Sequence, residues 1–316
     1  MVHVAEGRIV VTGGAGFIGS HLVESLLNNG ASHVTVIDNL SRGRLSNFAL
    51  FQNDDRFGFL EADIRDYDTV RGVMRGVDLV FHLAAQSTVM GAARNLDYTF
   101  TTNVAGTYNV LKAAAEQSVK RLVFSSSREV YGEPLTLPVD ESHPLMSINT
   151  YGATKVAGEA LCRAFSRETG IETRILRIAN AFGPRDIGRV IPSWIEQARA
   201  GNDLTVYGGD QILDFIWVAD VVDAMLRAAD ADVALPPINV ASGTGTKILD
   251  LARRIGQLVG HSCEIKLVPR RSIEVTRFVG NPERMTQLLG LTPASDPLAR
   301  LAGMIPPRAT ASAAVA

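Results

Sequence analysis

Residues 8–19 read RIVVTGGAGFIG, and this stretch decides the fold. Residues 8–12 form a short β-branched run that predicts a strand, and apolar residues at helical spacing over 17–29 predict a helix. Three glycines lie between the strand and the helix and in the first helical turn, Gly13, Gly16 and Gly19. They permit a tight turn and let backbone amides approach a pyrophosphate at the helix amino terminus. The stretch therefore predicts a dinucleotide-binding unit.

The alternation of strand and helix continues through the first half of the chain. Apolar runs predict strands at 33–37, 58–60, 77–84, 121–125 and 173–178, and helical spacing predicts helices at 67–75, 98–117 and 151–169. Such alternation favours an α/β fold, with a doubly wound parallel sheet covered on both faces. Ligands bind such a sheet beyond the carboxyl ends of its strands. We therefore assign residues 1–178 to a dinucleotide-binding domain.

After residue 178 prolines and glycines punctuate shorter elements. We expect residues 179–305 to form a smaller mixed α/β region that mainly binds substrate, with some elements able to return to the first domain. Residues 306–316, PPRATASAAVA, are rich in small residues and proline, so we expect a disordered tail.

Composition limits the class of protein. The chain has 316 residues, 46% of them hydrophobic, and a net charge of −2, an ordinary globular balance without the basic surface that nucleic acid or an anionic membrane attracts. No apolar run reaches membrane-spanning length, and the amino terminus lacks a signal-peptide pattern. The two cysteines, Cys162 and Cys263, lie far apart, which gives no disulfide framework and no metal-ligand spacing. We expect a cytoplasmic protein without a metal, nucleic-acid or membrane partner.

A carboxylate follows the second predicted strand and bears on the cofactor. Asp38 lies where an acidic residue holds an adenosine ribose and repels a ribose phosphate, which favours NAD over NADP. Arg42 and Arg44 lie close in sequence and oppose that preference. Asp63, after the third strand, is either an adenine contact or a helix N-cap.

A tyrosine and a lysine in YGATK point to acid–base chemistry. Tyr151 and Lys155 are four residues apart at the start of a helix and so share one face. A nearby ammonium favours the phenolate form, which can act as general base toward a sugar hydroxyl. The spacing alone is common, but here it accompanies a dinucleotide loop and the serine cluster SSSREVYG of residues 125–132.

Eight segments together resemble the extended short-chain dehydrogenase/reductase family: TGGAGFIG, VIDNLS, DIRD, VFHLAAQ, NVAGTYNVL, FSSSREVYG, YGATK and NAFGPR. Within that family the chain is most similar to the nucleotide-sugar epimerases and dehydratases of UDP-glucose 4-epimerase type, from Arg8 to about Leu291. The resemblance implies a Rossmann-type fold, NAD, a nucleotide-diphosphate sugar substrate and a homodimer joined by a four-helix bundle. The apolar content of the helices predicted at 98–117 and 151–169 favours the same dimer.

The resemblance also implies roles for individual residues. The catalytic set would be Ser127, Tyr151 and Lys155, with Glu129 as a further candidate. The cofactor-binding set would be Gly13, Gly16, Phe17, Ile18, Gly19, Asp38, Asn39, Asp63, Ile64, Leu83, Ala84, Ala85, Asn103, Ser125, Tyr151 and Lys155. The substrate-binding set would be Ser127, Asn180 and Arg277.

In the family, the two residues after the catalytic hydroxyl sort the reactions. Dehydratases place an aspartate and a glutamate there, and UDP-glucuronate decarboxylases place a serine and a glutamate, whereas 4-epimerases need neither acid. This chain has Arg128 and Glu129. Without an acid at 128, dehydration lacks its proton donor. Glu129 is either a base acting beside a ketone or a buried carboxylate paired with an arginine.

The leading hypothesis is therefore an NAD-dependent nucleotide-sugar 4-epimerase. The alternatives are a decarboxylase or another ketone-intermediate enzyme that uses Glu129, and a non-catalytic dinucleotide-sensing protein on the same fold. Leu213 precedes Asp214 where the family usually has an arginine that neutralises diphosphate. The charge must then come from other arginines, with Arg277 favoured over Arg185, Arg189 and Arg270. The sugar and the nucleotide stay open.

Overall fold

The computed structural model describes residues 3–260 and 263–305, so the predicted tail at 306–316 lies outside the described residues. The strands are β1 Arg8–Thr12, β2 His33–Asp38, β3 Phe57–Glu61, β4 Leu79–His82, β5 Arg121–Ser127, β6 Glu172–Ile178, β7 Asn180–Phe182, β8 Leu204–Tyr207, β9 Ile212–Trp217, β10 Ile238–Val240, β11 Gly245–Lys247, β12 Ile265–Val268 and β13 Arg277–Phe278. The α-helices are α1 Phe17–Asn28, α2 Tyr67–Val73, α3 Val89–Arg94, α4 Leu96–Phe100, α5 Thr107–Glu116, α6 Thr150–Thr169, α7 Val190–Arg199, α8 Val218–Asp230, α9 Ile248–Val259 and α10 Glu283–Leu289.

Seven strands form one parallel sheet in the order β10-β6-β5-β4-β1-β2-β3. The chain runs outward from β1 to β3 and then crosses back to β4, so the direction of winding reverses between β1 and β4. A crevice opens at such a reversal, beyond the carboxyl ends of the strands. The Rossmann-type doubly wound sheet predicted from the sequence is confirmed.

Buried apolar side chains fill both faces of the sheet. One cluster packs α1 and α8 against the sheet and includes Val11 and Leu22, and the other packs α2, α5 and α6 and includes Leu111 and Phe124. Helix α6 approaches β5 closely, because a Cβ atom added at Gly158 would lie 2.5 Å from the Phe124 ring. This contact fixes the helix that carries the tyrosine and lysine of YGATK.

The second half of the chain builds a smaller region and then returns to the sheet. Strands β7, β9, β11 and β13 form one small sheet, β8 and β12 form another, and a third apolar cluster lies around Trp194 and Phe215. Strand β10 pairs with β6, and α8 packs on the large sheet. Residues 179–305 thus contribute a strand to the large sheet and a helix to its cover.

Several predicted bounds differ from the observed ones, and two of these differences bear on the site. The helix predicted over 98–117 is three segments, because the π-helical turn Thr101–Gly106 separates α4 from α5. Strand β5 extends to Ser127, since Ser126 and Ser127 stay in register with β6. Within the described ranges no helix is long and apolar enough to cross a membrane.

Candidate active site

A cavity of about 970 Å³ lies at the carboxyl ends of β1, β4 and β5, between the large sheet and the smaller region. The predicted site residues that line it are Gly13, Gly16, Phe17, Ile18, Gly19, Asp38, Asn39, Ile64, Leu83, Ala84, Ala85, Ser125, Ser127, Glu129, Tyr151, Lys155 and Asn180. Three predicted residues do not line it, namely Asp63, Asn103 and Arg277.

The glycine loop forms a cradle for an anionic group. Gly13 has a φ of +73°, and a Cβ atom there would lie 2.7 Å from the backbone nitrogen of Ala84. A Cβ atom at Gly19 would overlap the carbonyl oxygen of Gly13. No side chain caps the amino terminus of α1, whose N-cap is Gly16. The free amides and the helix dipole therefore suit the pyrophosphate of a dinucleotide.

Asp38 lies at the far end of this cradle. Its carboxylate accepts hydrogen bonds from the backbone amides of Ala15, at 3.0 Å, and Leu40, at 2.8 Å. Burial raises the pKa of Asp38, and the two amide bonds oppose that rise. Arg42 instead donates to the carbonyl of Ile187 at 3.2 Å. The carboxylate is thus placed to accept from ribose hydroxyls, as NAD requires.

Asp63 and Asn39 form a polar cluster beside the cradle. Asn39 donates to Asp63 at 2.8 Å, and Asp63 forms an ion pair with Arg65 at 2.8 Å. The hydrogen bond from Arg65 lowers the pKa of Asp63 to about 2. The N-cap of α2 is Asp66 rather than Asp63. Asp63 therefore orients Asn39, which does line the cavity.

Two buried side chains hold the loop that follows β4. The side-chain oxygen of Asn103 accepts from the backbone amide of Gln86 at 2.7 Å, and its nitrogen donates to Thr154 at 3.0 Å. His82 lies between the hydroxyls of Thr12 and Thr107, at 2.7 and 2.9 Å. Burial lowers the pKa of His82 to about 3, so the imidazole is neutral. These contacts fix the loop against α6 and β1.

Ser127, Tyr151 and Lys155 meet at the floor of the cavity. The Ser127 hydroxyl forms a hydrogen bond with Tyr151, and Lys155 Nζ donates to the carbonyl of Ser125 at 2.7 Å. Lys155 Nζ lies 6.0 Å from the centroid of the Tyr151 ring. Burial lowers the pKa of Lys155 to about 8. Burial also raises the pKa of Tyr151, although Arg189 and Ser127 act to lower the pKa of this tyrosine. In this structure burial thus outweighs the predicted stabilisation of phenolate.

Glu129 is held from both sides. Arg128 Nη2 lies 2.7 Å from Glu129 Oε1, and Asn149 Nδ2 donates to Oε2 at 2.7 Å. Both members of the ion pair are buried. Arg128 Nε also donates to Asn180 Oδ1 at 3.1 Å, and the Asn180 amide nitrogen donates to the carbonyl of Asp214 at 2.8 Å. Glu129 is thus a buried carboxylate paired with an arginine, and its role in catalysis stays a prediction.

The arginines near the cavity are not those favoured from the sequence. Arg277 is exposed on β13, and Arg270 is exposed as well, so neither lines the cavity. Arg271 does line it, 3.8 Å above the Tyr207 ring and paired with Glu274 at 2.9 Å. Sequence reasoning missed Arg271, because the irregular segment before β13 has no periodicity to show which side chain turns inward.

Unused hydrogen-bonding capacity is concentrated at the cavity. Among the described residues, six buried side-chain polar atoms have no partner, and five of them belong to cavity-lining residues: Gln86, Thr102, Arg128, Arg185 and Gln197. The sixth is Arg174 Nε. Unsatisfied buried groups are costly, so their collection in one cleft is typical of a site that binds a polar ligand.

Comparison with known proteins identifies relatives with three reactions. The chain is 34% identical over 295 residues to UDP-glucuronic acid decarboxylase 1 of Xenopus tropicalis, covering 90% of this chain and 68% of that protein. It is 36% identical over 277 residues to a putative UDP-glucose 4-epimerase of Methanocaldococcus jannaschii, covering 85% and 88%. The solved structure of DesIV, a dTDP-glucose 4,6-dehydratase of Streptomyces venezuelae with NAD bound, superposes with a TM-score of 0.89 at 30% identity, over 94% and 96% of the two chains.

The glycine cradle, Asp38 and the loop after β4 fit NAD, the cofactor of these relatives' family. The model of the NAD dependent epimerase/dehydratase family matches residues 9–241, which is most of the chain and spans the cradle, the serine cluster and YGATK. The chain therefore belongs to the NAD dependent epimerase/dehydratase family.

Proposed function

We propose that the protein is an NAD-dependent nucleotide-sugar 4-epimerase. The observation that carries the proposal is the engagement of Glu129, whose two carboxylate oxygens already pair with Arg128 and Asn149. Glu129 would have to leave Arg128 before it could take a proton from a substrate, and the guanidinium at 128 does not give up a proton at neutral pH. Dehydration and proton abstraction beside a ketone need such groups, whereas 4-epimerisation does not.

In this proposal Tyr151 is the general base. Its phenolate accepts the proton of the sugar's fourth hydroxyl, and Ser127 shares that hydrogen bond. The Lys155 ammonium, held by the carbonyl of Ser125, favours the phenolate when the site is filled. NAD, held by the glycine cradle and Asp38, would supply reversible hydride transfer at C4 of the sugar, with no net redox change.

The charge of a nucleotide diphosphate has candidate partners in the cavity. Arg185, Arg189 and Arg271 line it, and Leu213 lines it in place of the arginine found in related enzymes. Guanidinium groups suit phosphate oxygens because they donate in a planar fork. The named activities of the relatives on UDP and dTDP sugars support the same substrate class.

Decarboxylation is the second candidate, favoured by the likeness to the Xenopus decarboxylase and by a glutamate two residues after Ser127. It would require Glu129 to leave Arg128 before acting as a base. A non-catalytic sensing role is disfavoured by the assembly of Ser127, Tyr151 and Lys155 on one cavity floor.

We further propose a homodimer through α5 and α6. Val110 and Leu111, which contributed to that expectation, are buried within the chain. Phe100, at the end of α4, and Tyr108, on α5, are instead 58% and 45% exposed. The Tyr108 ring lies 5.7 Å from that of Phe165, so the aromatic surface at Tyr108 continues onto α6.

The division of the chain and its location are also proposals. We propose that residues 179–305 mainly bind substrate, because the two small sheets and α7 of this region close the cavity opposite the glycine loop. Both cysteines are free thiols, which supports a reducing cytoplasm as the location.

The test is incubation of the purified protein with UDP-, GDP-, dTDP- and CDP-sugars, followed by product mass and sugar analysis. A C4 epimer of unchanged mass is expected. Loss of carbon dioxide would establish the decarboxylase instead, and loss of water a dehydratase. No turnover of any sugar would refute both enzymatic candidates and favour the sensing role.

A further inference from the structure

One nitrogen of Arg128 has no hydrogen-bond partner among the residues that the structure describes. The side chain is 10% exposed and lines the cavity next to Ser127. Its Nη2 contacts Glu129 and its Nε contacts Asn180, whereas Nη1 is buried without a hydrogen-bond acceptor. A buried donor left unpaired is unfavourable, so a ligand oxygen beside it would gain affinity by accepting from it.

The remaining capacity of Arg128 does not suit a carboxylate. A guanidinium binds a carboxylate best through two parallel hydrogen bonds along one edge. On Arg128 the Nε and Nη2 atoms are already occupied by different acceptors, which leaves contacts through Nη1 alone. The positive charge is also balanced by Glu129 at 2.7 Å, so an incoming anion would meet a neutral pair with a carboxylate on its far side. Desolvating that anion would have little compensation.

A neutral oxygen meets neither obstacle. A sugar hydroxyl or an amide carbonyl needs only one donor and loses less hydration on burial. Arg128 lines the same cavity as Ser127 and Tyr151, and its charge acts to lower the pKa of Tyr151, which places this donor near the reacting end of the sugar rather than at the nucleotide.

We infer that Arg128 determines sugar specificity: it donates through Nη1 to a neutral oxygen of a hexose, and its pairing with Glu129 excludes sugars that carry a carboxylate. This inference rests on the proposed function, because it assumes that a nucleotide sugar occupies the cavity. It deepens that proposal by assigning the substrate to the neutral hexoses rather than the uronates.

The test compares UDP-glucose and UDP-glucuronate, which differ only at C6 of the sugar, by calorimetric binding to the NAD-loaded protein. We expect UDP-glucose to bind about tenfold or more tightly, on the scale of discrimination against like charge at a buried site. Glu129→Gln removes the balancing charge, so the ratio should move toward UDP-glucuronate by about tenfold. Glu116→Gln removes an acid paired with Arg71 outside the cavity and should leave the ratio unchanged.

The outcomes separate the two proposals. Equal or tighter binding of UDP-glucuronate by the unmodified protein overturns the inference, and that measurement does not depend on any variant folding. An unchanged ratio in a folded Glu129→Gln variant overturns it as well, while leaving the epimerase proposal standing. Failure of both sugars to bind overturns the inference, and only failure of every UDP-, GDP-, dTDP- and CDP-sugar to react removes the proposed function with it.

Discussion

A buried ion pair beneath the cavity provides a sharp stability prediction. Glu159 on α6 is fully buried, and Arg177 on β6 is 4% exposed. Two hydrogen bonds of 2.9 and 2.8 Å join them, and Ser126 on β5 donates to the same carboxylate at 2.7 Å. The ion pair joins α6, which carries Tyr151, to β6, and the Ser126 bond joins α6 to β5, which carries Ser127. Arg177→Met removes the cation and leaves the carboxylate buried, with Ser126 and the half-exposed Arg163 as partners.

Losing one partner of a buried pair destabilises a protein by about 3–5 kcal/mol, and we expect that loss in the free energy of unfolding at pH 7. The pH dependence should also change sign. Burial raises the pKa of Glu159, but the bonds from Arg177 outweigh it, so the pKa lies below its usual value and the stabilisation is lost as pH falls. In Arg177→Met burial prevails and the folded pKa exceeds the unfolded one. Protonation then relieves the variant, and its deficit should shrink between pH 7 and pH 5.

Urea unfolding followed by circular dichroism at the two pH values measures both effects. Arg167→Met, an exposed arginine on the same helix, is the matched control and should change stability by less than about 0.5 kcal/mol. The double variant Arg177→Met/Glu159→Leu should recover much of the loss, because no charge is left buried. A deficit below about 1 kcal/mol for Arg177→Met at pH 7, or one that grows at pH 5, would refute this reasoning.

Three further outcomes are expected. The protein should purify with NAD bound, as cofactor absorbance would show, and should prefer NAD to NADP in competition binding. Asp38→Ala should weaken that preference. Tighter binding of NADP to the unmodified protein would exclude the role given to Asp38. Light scattering at micromolar concentration should give twice the chain mass of 33.9 kDa, and Tyr108→Asp should shift it toward the monomer; a monomeric unmodified protein would dispose of the dimer. The pKa of His82 in the folded protein is about 3, against an ordinary 6.5, so the free energy of unfolding should fall as pH drops below about 6.5. His82→Gln should reduce the slope of the free energy of unfolding against pH by up to about 1.4 kcal/mol per pH unit. An equal slope in the variant would contradict a neutral buried imidazole.

The parts of the fold that the sequence predicted are those with local patterns. The strand–glycine–helix order around Gly13 and the spacing of Tyr151 and Lys155 follow from short-range geometry, so the sheet and the residues of the cavity floor could be predicted from the sequence. The residues of irregular segments that face the cavity could not be predicted in this way. Arg277 was therefore chosen as a phosphate-binding residue, and Arg271 was missed. Pairing of Glu129 with an arginine was one of the two alternatives that the sequence left open. The second contact of Glu129, from Asn149, joins segments twenty residues apart, and no sequence pattern links those segments.

The return of β10 to the large sheet and the π-helical turn before α5 depend on tertiary packing. β10 has only three residues, Ile238–Val240, so its assignment comes from pairing with β6 rather than from its own length. Asn103 lies in the π-helical turn, and its bonds to Gln86 and Thr154 hold that turn against α6.

Turnover of Glu129→Gln, measured beside Tyr151→Phe, tests the 4-epimerase assignment most directly. Tyr151→Phe removes the proton acceptor that every candidate reaction needs and should lower turnover about a hundredfold or more while NAD stays bound. Glu129→Gln keeps the shape but removes both the base and the charge that pairs with Arg128. Because 4-epimerisation uses no base at this position, an epimerase should slow by about tenfold or less, with the product still an epimer of unchanged mass. If instead folded, NAD-loaded Glu129→Gln loses as much activity as Tyr151→Phe and accumulates reduced cofactor with a ketone, then Glu129 is catalytic and the protein is not a simple 4-epimerase.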